Sequence, residues 1–188
     1  MFTPKNQPSY LDKRFNIVPL LVLLLAICCV GYTKVTYAGP VAVGSFATKF
    51  NIDNTPRVTN LKLAAEAISG VTLAPGDTFS YNETVGPTTQ ARGYQKAEII
   101  VKGQKKQGYG GGVCQVSSTL FNAAEKAGLE ILERHPHSKQ VPYVEKGKDA
   151  ATSYGGIDLK FKNTLGYPVK VSASVMGSHV YVDIYKVS

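Results

Sequence analysis

The chain has 188 residues, 44% of them hydrophobic and 18% charged, with a formal net charge of +8 and no Trp. That composition excludes a disordered or fibrous chain and fits one domain plus a leader. No internal repeat or low-complexity tract interrupts it.

Lys5, Lys13 and Arg14 precede an uncharged apolar run of 18 residues, Phe15 to Tyr32. That length is near the lower limit for a membrane span and somewhat long for a signal-peptide core. The basic flank orients the N-terminus to the cytoplasm and the remainder outside it. Residues 1–38 are therefore expected to be a cytoplasmic N-terminus plus signal anchor in the cell membrane. The alternative is a signal peptide cleaved near Ala38, which would secrete the domain. Residues 1–38 hold four of the 21 basic and one of the 13 acidic residues, so the remainder carries +5. A mildly basic domain outside the cytoplasm suits anionic polymers or lipid headgroups. Export, and the lack of a basic–aromatic motif, argue against nucleic acid.

Residues 39–58 read as a polar, irregular approach to a single domain over 45–188. Thr59 to Gly70 predicts a helix capped by Thr59, with Leu61, Ala64, Ala65 and Ile68 on one face and Gly70 as terminator. A turn at Pro75–Gly76–Asp77 leads to a short strand around Phe79 to Tyr81. Ala97 to Val101 predicts a strand, followed by a turn at Gly103 and a basic loop, "KGQKK". Val113, Val116, Leu120, Ala124 and Ala127 repeat at helical spacing, so a helix is expected from about Cys114 to Ala127, ended by Gly128. Residues 129–134 and 157–163 predict strands, and 139–144 an extended but irregular segment because of Pro142. Two alternating runs, Val169 to Val175 and Val180 to Ile184, predict a hairpin around "MGS". The expected fold is α+β, a helix packed on an antiparallel β-sheet.

Cys114 is the sole cysteine outside the apolar segment, so the domain has no disulfide framework. It follows Gly110, Gly111 and Gly112 and opens the predicted helix. A helix N-terminus stabilises a thiolate, and its free N–H groups can hold an oxyanion. Glycines beside it allow a substrate backbone to come close. A cysteine nucleophile needs a base, usually His, held by a third group. His135 and His137 end the strand after the helix, and helix and strand have matching lengths, about 20 Å each. An antiparallel return brings them back towards Cys114. Asp158 and Asp149 are both candidates for the orienting group, while His179 beside the final turn reads as a surface residue. One Cys and two clustered His lack a fourth ligand at a recognisable spacing, so no metal or other cofactor is expected. The opposing reading is a small buried cysteine that only packs.

From about Phe46 to Tyr185 the chain resembles the VanW family. The resemblance is carried by "PGDTFSYNETVGPTT", "GGGVCQVSSTLFNAAEKAGLEILERHPHS", "GKDAATSYGGIDLKFKN" and "YPVKV". It implies an extracytoplasmic domain of a family linked to the cell envelope and vancomycin resistance. Its implied activity is cysteine-dependent acyl transfer on peptidoglycan stem peptides, of the L,D-transpeptidase type. On that implication Cys114 is the nucleophile and His137 the base, with His135 as its alternative. Asp158, or alternatively Asp149, orients the base, and Gly111, Gly112 and Gln115 lie at the oxyanion and substrate approach. A second, more distant resemblance is to the cysteine-helix of transglutaminase-like and papain-like domains. It places hydrolysis of stem peptides beside transpeptidation. A non-catalytic envelope-binding module is the alternative from another class.

Overall fold

The computed structural model describes residues 41–101 and 103–187. The leader expected over residues 1–38 lies outside them, as does its apolar run. Among the described residues no helix is long and apolar enough to cross a membrane.

Chain order runs β1 (Ala42–Lys49), α1 (Thr55–Ile68), β2 (Thr72–Leu73), β3 (Thr78–Ser80), α2 (Tyr81–Val85), β4 (Lys96–Val101) and β5 (Gln104–Tyr109). Then follow α3 (Val113–Lys126), β6 (Glu130–Glu133), β7 (Lys160–Lys162), β8 (Val169–Met176) and β9 (His179–Lys186). The described residues form three antiparallel sheets. The largest has strand order β1-β9-β8-β2, the second β3-β7-β6, and β4-β5 is a separate hairpin. The fold class is thus α+β, as expected.

The core lies where α1 and α3 cover the four-stranded sheet. α3 packs on β1 and β9, and α1 on β8. Leu61, Ile68, Val116, Leu120, Val171, Val182 and Ile184 are fully buried there. Phe79 and Phe161 stack at 4.7 Å between ring centroids and join β3 to β7.

Three differences from the sequence reading have clear causes. Residues 42–49, expected to be irregular, form β1. Its two buried positions are Gly44 and Thr48, which carry no hydrophobic alternation to read. α1 starts four residues before Thr59, because the Asn54 side chain accepts from Arg57 N at 3.2 Å and Pro56 suits the first turn. The basic loop is instead β5, whose exposed Gln and Lys side chains hide its pairing with β4. Segment 139–144 forms no strand, and only residues 160–162 of the strand expected over 157–163 pair.

Candidate active site

α3 begins with Gly112 at its N-cap, at φ 114°, a left-handed conformation that favours glycine. From Val113 to Ala124 every residue is buried except Cys114, which is partly exposed. The thiol opens into a cleft of about 970 Å³. The backbone just before it is held from two sides. Asn60, fully buried, donates to Gly111 O at 3.0 Å, and the Tyr81 hydroxyl donates to Val113 O at 3.0 Å.

The far side of α3 carries a loop over residues 148–152. Asn122 donates to Lys148 O at 2.7 Å, Ser117 donates to Ala150 O at 2.6 Å, and Ser118 accepts from Ala150 N at 2.9 Å. These polar side chains are buried because the loop pairs with them. The next link is a β-bridge between His135 and Ala151, with Ala151 N donating to His135 O at 2.7 Å. It aligns the "HPH" segment with the loop and so sets His137 beside Asp149.

Asp149 accepts from the His137 amide at 2.6 Å and pairs with His137 Nδ1 at 2.6 Å. Its other oxygen pairs with Arg134 Nη2 at 2.8 Å. The His137 side chain is 8% exposed and that of Asp149 11%. His137 in turn lies within interaction range of the Cys114 thiol. Thr152 completes the sulfur's surroundings, with its amide 3.5 Å from Sγ and its carbonyl 3.4 Å away.

The electrostatics are those of a coupled relay. Burial pushes the Cys114 thiol up, but His137 and the Thr152 amide outweigh it, and the net shift is downward. Burial pulls His137 down, yet the nearby Cys114 sulfur and the bond to Asp149 hold it above its usual value. Burial raises Asp149, but the His137 amide and ring, with Arg134, bring its carboxyl below the ordinary range.

The structure therefore brings Cys114, His137 and Asp149 together. It does not bring Asp158 to them. That carboxylate accepts from Ser80 Oγ at 2.6 Å, Asn82 N at 2.9 Å and Leu159 N at 2.8 Å, and so braces the β3–α2 corner. The choice of Asp158 as first orienting candidate is corrected to Asp149, because Asp158 faces its own β-corner. The His135 ring pairs with Glu133 Oε1 at 3.0 Å, so its part in the site is the backbone bridge. Gln115 also differs from expectation. Its amide donates to Gly112 O at 2.8 Å, and its side chain is 1% exposed, donating to Thr48 Oγ1 and Lys49 O and accepting from Arg57. The amide of Cys114 itself makes no hydrogen bond among the described residues. Gly111 and Gly112 line the cleft, but their bare backbones also pack on the protein. A Cβ on Gly111 would lie 2.6 Å from Glu98 O, and one on Gly112 3.1 Å from Arg57 Cγ.

Sequence reasoning missed Thr152, Ser117, Ser118, Asn122, Asn60 and Arg57. None carries a spacing signal. Each acts through a partner distant in the chain.

Residues 56–185 match the family model described as VanW like protein. The "Uncharacterized protein YoaR" of Bacillus subtilis is 45% identical over 143 residues, 76% of this chain and 47% of that protein. The "Vancomycin B-type resistance protein VanW" of Enterococcus faecalis is 37% identical over 112 residues, 57% of this chain and 41% of that protein. The matched part thus spans less than half of each relative's own length. No solved structure matches. With a family model covering more than half of its length, this chain belongs to the VanW-like family.

Proposed function

We propose that this chain is a cysteine acyl-transferase acting on peptidoglycan stem peptides outside the cytoplasm, tethered by its N-terminal segment. The observation that carries this reading is the relay Asp149–His137–Cys114 opening into a cleft at a helix N-terminus. The family membership supports the cell-envelope setting. The VanW relative's printed name associates that protein with vancomycin resistance. The chain order Cys, His, Asp, with the cysteine opening a helix, also supports the likeness to transglutaminase-like and papain-like cores.

In the proposed reaction His137, held by Asp149, takes the thiol proton, and the Cys114 thiolate attacks an amide carbonyl carbon of the donor peptide. A C–S bond forms and the carbonyl oxygen becomes an oxyanion facing the Cys114 amide. The C–N bond then breaks as the His137 imidazolium gives its proton to the leaving amine. An acceptor amine attacks the thioester, His137 takes its proton, the new C–N bond forms and the thiolate leaves. Arg134 restrains Asp149 from the outside, and Thr152 N–H stabilises the sulfur anion.

Mass spectrometry of the full chain incubated with tetrapeptide muropeptides tests the reading. An acyl adduct on Cys114, absent in Cys114→Ser, is the expected result. No adduct, together with identical product profiles for the two proteins, would sink it and leave a binding module.

A further inference from the structure

The cleft holds a cation that the acyl-transfer chemistry does not use. Arg57 sits in the first turn of α1, and its stem crosses the N-cap of α3, where a Cβ on Gly112 would come within 3.1 Å of Arg57 Cγ. Its Nη2 donates to Gln115 Oε1 at 2.8 Å. Gln115 cannot yield, because its Nε2 is held by Thr48 Oγ1 and Lys49 O, both at 3.0 Å. The guanidinium is thus fixed beside the nucleophile by a buried amide two links deep. Burial pulls its pKa down from the usual arginine value. Among the described residues it has no carboxylate partner. Glu98, a carboxylate that also lines the cleft, pairs instead with Lys105 at 3.0 Å. The Cys114 thiolate offsets part of that charge, but a half-buried arginine without a carboxylate partner is costly to keep unless one arrives. Asn54 and Arg57 of α1 and Gly112 and Cys114 of α3 all line the cleft. The N-terminal ends of two 14-residue helices therefore converge on one space, and each favours negative charge.

We propose that Arg57 is the subsite for a free carboxylate of the peptide substrate, placed next to the carbonyl that Cys114 attacks. This rests on the reading of the cleft as a peptide-processing site. Planar guanidinium and carboxylate match in a two-bond fork, and the Gln115 bond leaves the other edge of the guanidinium to make it. Peptides with that carboxylate are held in register, and those without it are discriminated against.

Binding to the full chain carrying Cys114→Ser tests this without any need for turnover. The probes are a tetrapeptide muropeptide, the same compound amidated at its C-terminus, and one amidated at its remaining carboxylates. One of the two amides should bind at least about tenfold more weakly than the free acid, and which one names the source of the carboxylate. Arg57→Met should bind the free acid as weakly as that amide and leave the amide's affinity unchanged. Arg57→Lys, which keeps the charge and loses the fork, should fall between. Amidation that costs the same factor in the arginine and methionine proteins, or in neither, overturns the proposal. Carboxylate-dependent binding with no acyl adduct in the wild-type chain overturns only the catalytic reading. No binding of the muropeptide overturns both.

Discussion

Replacing Asp149 with alanine removes the acceptor of three charged hydrogen bonds, two from His137 at 2.6 Å and one from Arg134 at 2.8 Å. The Arg134 side chain left behind is 22% exposed, so water restores only part of the loss. Truncating one partner of a buried charge pair costs about 3–5 kcal/mol, and the partial exposure of Arg134 places this case near 3 kcal/mol. For a domain of this size that is a fall in Tm of about 6–12 °C. The sign with pH follows from the lowered carboxyl of Asp149. Its contribution is present above the unfolded value of about 3.9 and is lost as pH falls through the lower folded value. Denaturant unfolding of the full chain should show a wide gap between wild type and Asp149→Ala at neutral pH, closing under strong acid. A gap of less than about 0.5 kcal/mol at neutral pH, or one that persists in acid, refutes the reasoning. Asp149→Asn keeps the volume and isolates the charge. Without the Asp149 anion, which with Cys114 holds His137 up, less imidazolium faces the sulfur, so the midpoint of Cys114 alkylation should move to higher pH.

Asp158→Ala makes the contrasting case. It should destabilise by about 2–4 kcal/mol through its three lost bonds at the β3–α2 corner, yet leave the pH profile of Cys114 alkylation in place. Ser118→Ala strands the Ala150 amide against α3 and should cost about 1–3 kcal/mol by thermal unfolding, while raising hydrogen exchange in the 148–152 loop. Gly44→Val drives side-chain atoms into α3, where a Cβ alone would lie 2.3 Å from Ala123 O. A loss of about 3 kcal/mol or more in unfolding free energy is expected, and a neutral outcome would mean that β1 does not pack as described.

Periodicity was enough for α3, which runs within one residue of the expected span, and for the β8–β9 hairpin. Equal lengths of helix and returning strand were enough to bring His137 back to Cys114. They could not choose between Asp149 and Asp158, because that choice is made by contacts between loops. Asp149 reaches His137 only because Ser117, Ser118 and Asn122 anchor its loop to α3 and Ala151 bridges His135. In the sequence those serines look like the solvent face of an amphipathic helix. Burial on both sides of α3, one apolar and one polar, has no signature in a hydrophobic period. Likewise β1 was unreadable because its two buried positions are a glycine and a threonine.

The pairing of β1 with β9 also decides how this domain can be joined to others. Ala42 lies opposite Tyr185, so the chain enters and leaves the described domain side by side. Lys49, at the other end of β1, lines the cleft with Ser178. Seven strand steps separate the two ends, roughly 23 Å. Both ends of the described domain therefore lie at the end of β1 remote from its cleft-lining residue. Chain entry and exit thus share one end of the β1–β9 pair and the cleft-lining residues Lys49 and Ser178 the other, so the length that the relatives have beyond the matched segment need not interrupt the strands that carry the cleft.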